Sequence, residues 1–131
     1  MSDYFAADAP RAADAQPRWL EIGELETVQF AEGLTFRPVL GKDALVNWVS
    51  YEPGTVVPVH SHVEEQFTFV LEGEFEFECD GEKRILRPGS VVHIPAGVPH
   101  GARTYETTCL QVDVFSPPRK VLVDAMREQL G

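Results

Sequence analysis

The chain is poor in cysteine, in positive charge and in long apolar runs, and each shortage closes off a class of protein. Its two cysteines, Cys79 and Cys109, are too few for a disulfide scaffold. Both fall inside stretches that alternate like strands, so they are expected as small buried apolar side chains. No apolar run approaches the ~18 residues a membrane-spanning helix needs. The N-terminus lacks a basic region followed by an apolar stretch, so no secretory leader is expected and the cytoplasm is the default compartment. Lys and Arg number 11 against 21 Asp and Glu, a formal net charge of −10 with a pI near 4.7. Such a surface repels nucleic acid and anionic membranes. It repels anionic small molecules as well, so an acidic substrate would need a local positive pocket. What is left is a globular chain of 131 residues, 44% hydrophobic, long enough for one domain with a real core.

Residues 1–18 are rich in Ala, Asp and Pro and show little apolar periodicity, as expected of a flexible arm. Residues 19–131 form the expected domain. There, short runs with period-2 alternation are separated by turn residues at close intervals. Strands are expected near 27–30, 34–40, 44–51, 56–60, 66–71, 74–79, 83–86, 90–94, 100–103 and 107–115. Asp80-Gly81 is a strong hairpin signal. In the run from Gln66, parity puts Phe67, Phe69 and Leu71 on one face and Gln66, Thr68 and Val70 on the other. If Gln66 faces inward, the other face packs within the subunit or against a second copy in a homodimer. A short C-terminal helix is expected, with Ser116 as its N-cap, Pro117 as its first residue, and Leu122, Ala125, Met126 and Leu130 on one side. About ten strands and one helix make an all-β barrel or sandwich.

Chemistry concentrates in two stretches. The first, Gly54 to Gly73, holds His60, His62 and Gln66; the second, Gly89 to His100, ends in a fourth candidate ligand. On a strand, His60 and His62 look to the same side, and Gln66 has the same parity. Imidazole nitrogen suits zinc, nickel, iron and copper, and a Gln adds a neutral carbonyl oxygen. The turn-rich Pro95-Ala-Gly97-Val-Pro99 can swing His100 back over the others. His93, outside this spacing, is expected to be structural or on the surface.

The spacing of the first stretch is Gly, five residues, His-x-His, three residues, a polar ligand, six residues, Gly. The second is Gly, five residues, Pro-x-Gly, two residues, His. In this order and separation they resemble the two motifs of the cupin superfamily, over about Val28 to Phe115. The resemblance implies a jelly-roll β-barrel with one divalent metal ion (zinc, nickel, iron or manganese) held by His60, His62, Gln66 and His100 in its mouth. Gln66 stands where the usual first motif carries Glu. Three neutral imidazoles and a neutral amide leave a divalent ion its full charge, which tilts the site towards Lewis-acid work rather than oxygen activation.

After the last strand comes Asp113-Val-Phe115-Ser-Pro-Pro-Arg119. Spacing alone leaves two roles for it: a structural Asp113–Arg119 ion pair at the rim, or a pocket. In the pocket reading Asp113 is a general acid or base, Arg119 a fork for a carboxylate and Phe115 a wall. The combination of His-x-His-x-x-x-Gln with Asp-x-Phe-Ser-Pro-x-Arg is similar to the KdgF family of small cupins, which favours the pocket. That resemblance implies conversion of 4,5-unsaturated monouronates into linear ketonised sugars, with Asp113, Phe115 and Arg119 at the substrate. The family often has another His at the position of Glu64. Two other classes are expected alternatives: another metal-dependent cupin enzyme, such as a polyketide cyclase or a dioxygenase, or a non-catalytic small-molecule or metal-binding module.

Overall fold

A computed structural model of the chain describes residues 2–131. Ten strands and one helix follow in order: β1 (Val28–Ala31), β2 (Leu34–Leu40), β3 (Leu45–Tyr51), β4 (Val56–His60), β5 (Glu65–Gly73), β6 (Phe75–Cys79), β7 (Glu82–Leu86), β8 (Val91–Ile94), β9 (His100–Arg103), β10 (Cys109–Ser116) and α1 (Lys120–Leu130). They build two antiparallel sheets. One has the order β1-β2-β3-β10-β5-β8, the other β4-β9-β6-β7.

The expected jelly roll is present, but the hydrogen-bonded ladder does not close into a barrel. β4, at an edge of the smaller sheet, explains part of this. Pro58 within it has no N–H to donate, and its register with β9 shifts between Val57 and His60. The two sheets are joined by packing instead. Phe75, Phe77, Val49, Val70, Ile94 and their neighbours form one buried cluster. Fully burying one such side chain is worth about 1.5–3 kcal/mol. A second cluster, Val28, Leu45, Phe115 and Leu122, seats the helix.

Strand parity decides what faces the interior. In β5, Gln66, Thr68 and Val70 are buried while Phe67 and Leu71 are each 40% exposed. The outer face of β5 therefore carries its apolar side chains at the surface. Asp80 and Gly81 both take positive φ in the β6–β7 hairpin, as that two-residue turn requires. Cys79 and Cys109 are free thiols, and Cys109 is buried. Residues 4–24 are exposed, Trp19 among them. None of the described helices is long and apolar enough to cross a membrane.

The helix begins at Lys120, three residues later than the expected Pro117 start, and Ser116 does not cap it. Pro118 disfavours helical geometry in Pro117, so the turn cannot start there. Ser116 Oγ instead donates to the Asp43 carbonyl at 3.2 Å.

Gly73, which closes the first motif, has φ +74°, and a Cβ built there would run into the Thr108 carbonyl oxygen. Gly73→Ala therefore combines left-handed strain with a backbone clash. It is expected to lower the unfolding free energy by ~2–4 kcal/mol, read by urea denaturation.

Candidate metal centre and pocket

The two motifs hold each other at their turns. The Gly97 N–H donates to the His62 carbonyl at 2.8 Å, tying the Pro95–Gly97 turn to the loop after β4. His60 ends β4 and His100 begins β9, and the two are register partners on neighbouring strands. Their ring centroids lie 4.5 Å apart. His62 does not share a strand with His60, contrary to the i, i+2 expectation. β4 stops at His60, and the turn, not strand parity, brings the His62 ring to 4.9 Å from that of His100. One ring nitrogen from each of His60, His62 and His100 falls within a group no more than 4.8 Å across.

All three imidazoles are oriented the same way. Nδ1 of His60 donates to the Pro58 carbonyl at 2.8 Å. Nδ1 of His62 donates to the Glu64 carbonyl at 2.9 Å, and Nδ1 of His100 to the Val98 carbonyl at 2.9 Å. A carbonyl can only accept, so each Nδ1 carries the proton and each neutral ring keeps a bare Nε2. Burial, with help from His60, His62 and Arg119, pushes the His100 pKa down to about 4 against the Val98 bond. Burial and Arg119 also lower His62. Both rings are therefore neutral near pH 7, the state a metal requires.

Gln66 is oriented too. Its Nε2 donates to Thr68 Oγ1 at 2.7 Å and to Asp113 Oδ1 at 3.0 Å, which leaves Oε1 facing His62 Nε2 at 3.0 Å. Two lone pairs thus confront each other. His100 Nε2, meanwhile, is buried without any partner. A cation among His60, His62, His100 and Gln66 resolves both defects, so these residues fit a divalent metal.

Asp113 lies on β10, between β3 and β5, and points inward. It accepts from Thr68 Oγ1 at 2.6 Å, Gln66 Nε2 at 3.0 Å and Gln111 Nε2 at 3.2 Å. Burial raises its pKa to about 6, opposed by those bonds and by Arg119. Arg119 is not among its hydrogen-bond partners, so the rim ion pair that spacing allowed is not formed. The Arg119 guanidinium carbon sits instead 5.8 Å from the centre of the Phe115 ring. Phe115 is buried, with its ring 5.7 Å from that of His62. His60, His100, Gln66, Asp113, Phe115 and Arg119 line one cavity of about 410 Å³ with mainly apolar walls. His93 lies outside it; its Nε2 meets Glu65 Oε2 at 2.6 Å.

Several polar residues at the site were not singled out from the sequence. Asn47, Asp113 and Thr68 are register partners and form a polar row across three strands. Asn47 Oδ1 and Gln111 Oε1 are buried without partners, and both residues line the cavity. The signal was their inward parity among apolar neighbours. Glu64 is also buried, at 5% exposure. Burial pushes its pKa up, but hydrogen bonds from main-chain N–H groups, with His62 and Arg119 nearby, bring it below the ordinary value.

The cupin domain model matches residues 47–115. The pectin degradation protein KdgF of Dickeya dadantii is 29% identical over 108 residues, 81% of this chain and 91% of that protein. The structure of KdgF from Halomonas sp. superposes with a TM-score of 0.76 at 29% identity, covering 82% of this chain and 99% of that one. The dimethylsulfoniopropionate lyase DddQ of Ruegeria pomeroyi is 44% identical over 66 residues, 49% of this chain. That match spans only 33% of the lyase's own length.

Proposed function

Because the chain belongs to the cupin domain family, we propose that it is a metal-dependent enzyme that opens and ketonises 4,5-unsaturated monouronates. The observation that carries the reading is that His60, His100, the buried Asp113 carboxyl and Arg119 line one cavity, with a ring nitrogen of His62 within 4.8 Å of those of His60 and His100. Similarity to KdgF over most of both chains supports the substrate class. The metal ligands in this reading are His60, His62, Gln66 and His100, and a bound divalent ion would supply Lewis-acid polarisation of a sugar oxygen.

The chain's own groups do the rest. Arg119 takes the substrate carboxylate on its planar fork, giving the positive patch that a chain of net charge −10 otherwise lacks. Phe115, under the guanidinium, limits how that fork can turn. Mainly apolar cavity walls exclude water and fix the pose. Asp113, with a pKa raised to about 6, can give or take a proton near neutral pH. The C1–O5 bond of the ring breaks as the anomeric hydroxyl loses its proton and C1 becomes an aldehyde, and the freed oxygen on C5 becomes the ketone as C4 gains a proton. Asp113 is the group that carries it, and the product is an isomer with no change of oxidation state.

The test is incubation of the metal-loaded protein with unsaturated galacturonate, following loss of the ultraviolet absorbance of the conjugated carboxylate. Conversion is expected; none under any divalent metal removes the reading. Arg119→Lys keeps the charge but loses the bidentate fork, so KM is expected to rise about 10- to 100-fold with a smaller change in kcat. An unchanged KM would take Arg119 off the carboxylate. Oxygen uptake by the iron-loaded protein would point instead to a dioxygenase.

A further inference from the structure

Glu64 sits in the turn between β4 and β5, two residues after His62 and two before Gln66. A carboxylate with 5% exposure needs partners to remain there. Its Oε2 accepts a hydrogen bond from the Lys120 N–H at 2.8 Å, at the first residue of α1. Arg119, at the N-cap, makes no side-chain capping bond, so Glu64 caps the helix from 56 positions away. The N-terminal end of a helix favours a negative charge at this place. The other oxygen, Oε1, lies 3.6 Å from Nδ1 of His62, with both side chains under a tenth exposed. That separation is too long for a hydrogen bond, but a buried charge acts strongly across it. The His62 Nδ1 proton is itself directed at the Glu64 carbonyl, at 2.9 Å.

We propose that Glu64 is a positioning residue of the metal centre: held by the start of α1, its carboxylate stands behind His62 and supplies the negative charge that the four neutral ligands lack. This rests on the metal site proposed above. A carboxylate behind a metal-binding imidazole raises the ring's basicity and steadies it, and losing such a group costs about 10- to 100-fold in metal affinity. In effect the carboxylate missing from the first motif at Gln66 is restored one shell out. A bare helix cap makes a different prediction, because the cap needs only an acceptor oxygen.

Two substitutions separate the roles. Glu64→Gln retains an acceptor for the Lys120 N–H and drops the charge. Glu64→Ala drops both. The full chain is stripped of metal, and zinc affinity is measured by competition with a chromogenic chelator, beside the melting midpoint of the metal-free protein. Glu64→Gln is expected to bind zinc about 10- to 100-fold more weakly while its metal-free midpoint stays near that of the parent. Glu64→Ala is expected to weaken zinc at least as much and to melt lower, and it keeps the test open if the Gln variant does not fold. Parental zinc affinity in Glu64→Gln overturns the proposal and leaves only a cap. Failure of the parent to bind zinc removes the metal site and the proposal together. Weakened zinc binding without any uronate conversion supports Glu64 and removes the reaction instead.

Discussion

Asp113→Asn is expected to leave the chain folded and able to hold its metal while turnover of unsaturated uronate falls about 100- to 10,000-fold, the usual worth of a positioned general acid or base. The change is isosteric and lies one residue beyond the ligand set. What disappears is the ability to exchange a proton. Steady-state rates and metal content measured on the same preparations check it, and undiminished turnover removes Asp113 from the reaction. The metal-free protein offers a second readout. Burial raises the Asp113 pKa from 3.8 to about 6, against the pull of Thr68, Gln111, Gln66 and Arg119. The folded state therefore binds this proton more tightly than the unfolded chain. Its contribution to stability is fully present below about pH 4 and is lost as pH rises through about 6. The unfolding free energy of the parent minus that of Asp113→Asn should shrink by up to ~3 kcal/mol over this window and then level off.

His100→Ala is expected to abolish metal retention, taking content from about one ion per chain to below about a tenth, with turnover lost in parallel. His100 is the most buried of the three imidazoles, at 2% exposure, and its Nε2 is left without a partner. Neither Gln66 nor the loop residue His62 can take its place, since each is already oriented by its own hydrogen bonds. Elemental analysis after dialysis checks this. His93→Ala, on the outer face beside Glu65, serves as the control and should keep its metal. Full metal content in His100→Ala would place the ion elsewhere.

Much of this architecture can be read from local pattern, because a strand's period of two acts within a few residues. The β5 alternation put Gln66 and Thr68 on one face and Phe67 and Leu71 on the other without any knowledge of their partners, and burial then shows the first face to be the inner one. Asp80-Gly81 announced its hairpin for the same reason: the backbone angles it needs are a property of two residues. What escaped depended on distant neighbours. The helix start was misplaced because its cap comes from Glu64 and not from Ser116. His62 reaches the site through a turn pinned by Gly97, not through the strand that spacing suggested. The choice between an Asp113–Arg119 ion pair and a pocket turned on Thr68, Gln66 and Gln111, which claim the carboxylate across strands. Asn47 shares its parity with Leu45 and Val49, but only its register pairing with Asp113 places it at the site.

The candidate ligands are divided between the sheets: His60 and His100 belong to β4 and β9, Gln66 to β5. An ion bridging them would act as a cross-brace between two layers that no backbone ladder stitches together. Occupancy would then govern how freely the layers part, with the same few atoms setting both the chemistry and the breathing of the fold. Amide hydrogen exchange along β4 and β9 is where that breathing would register.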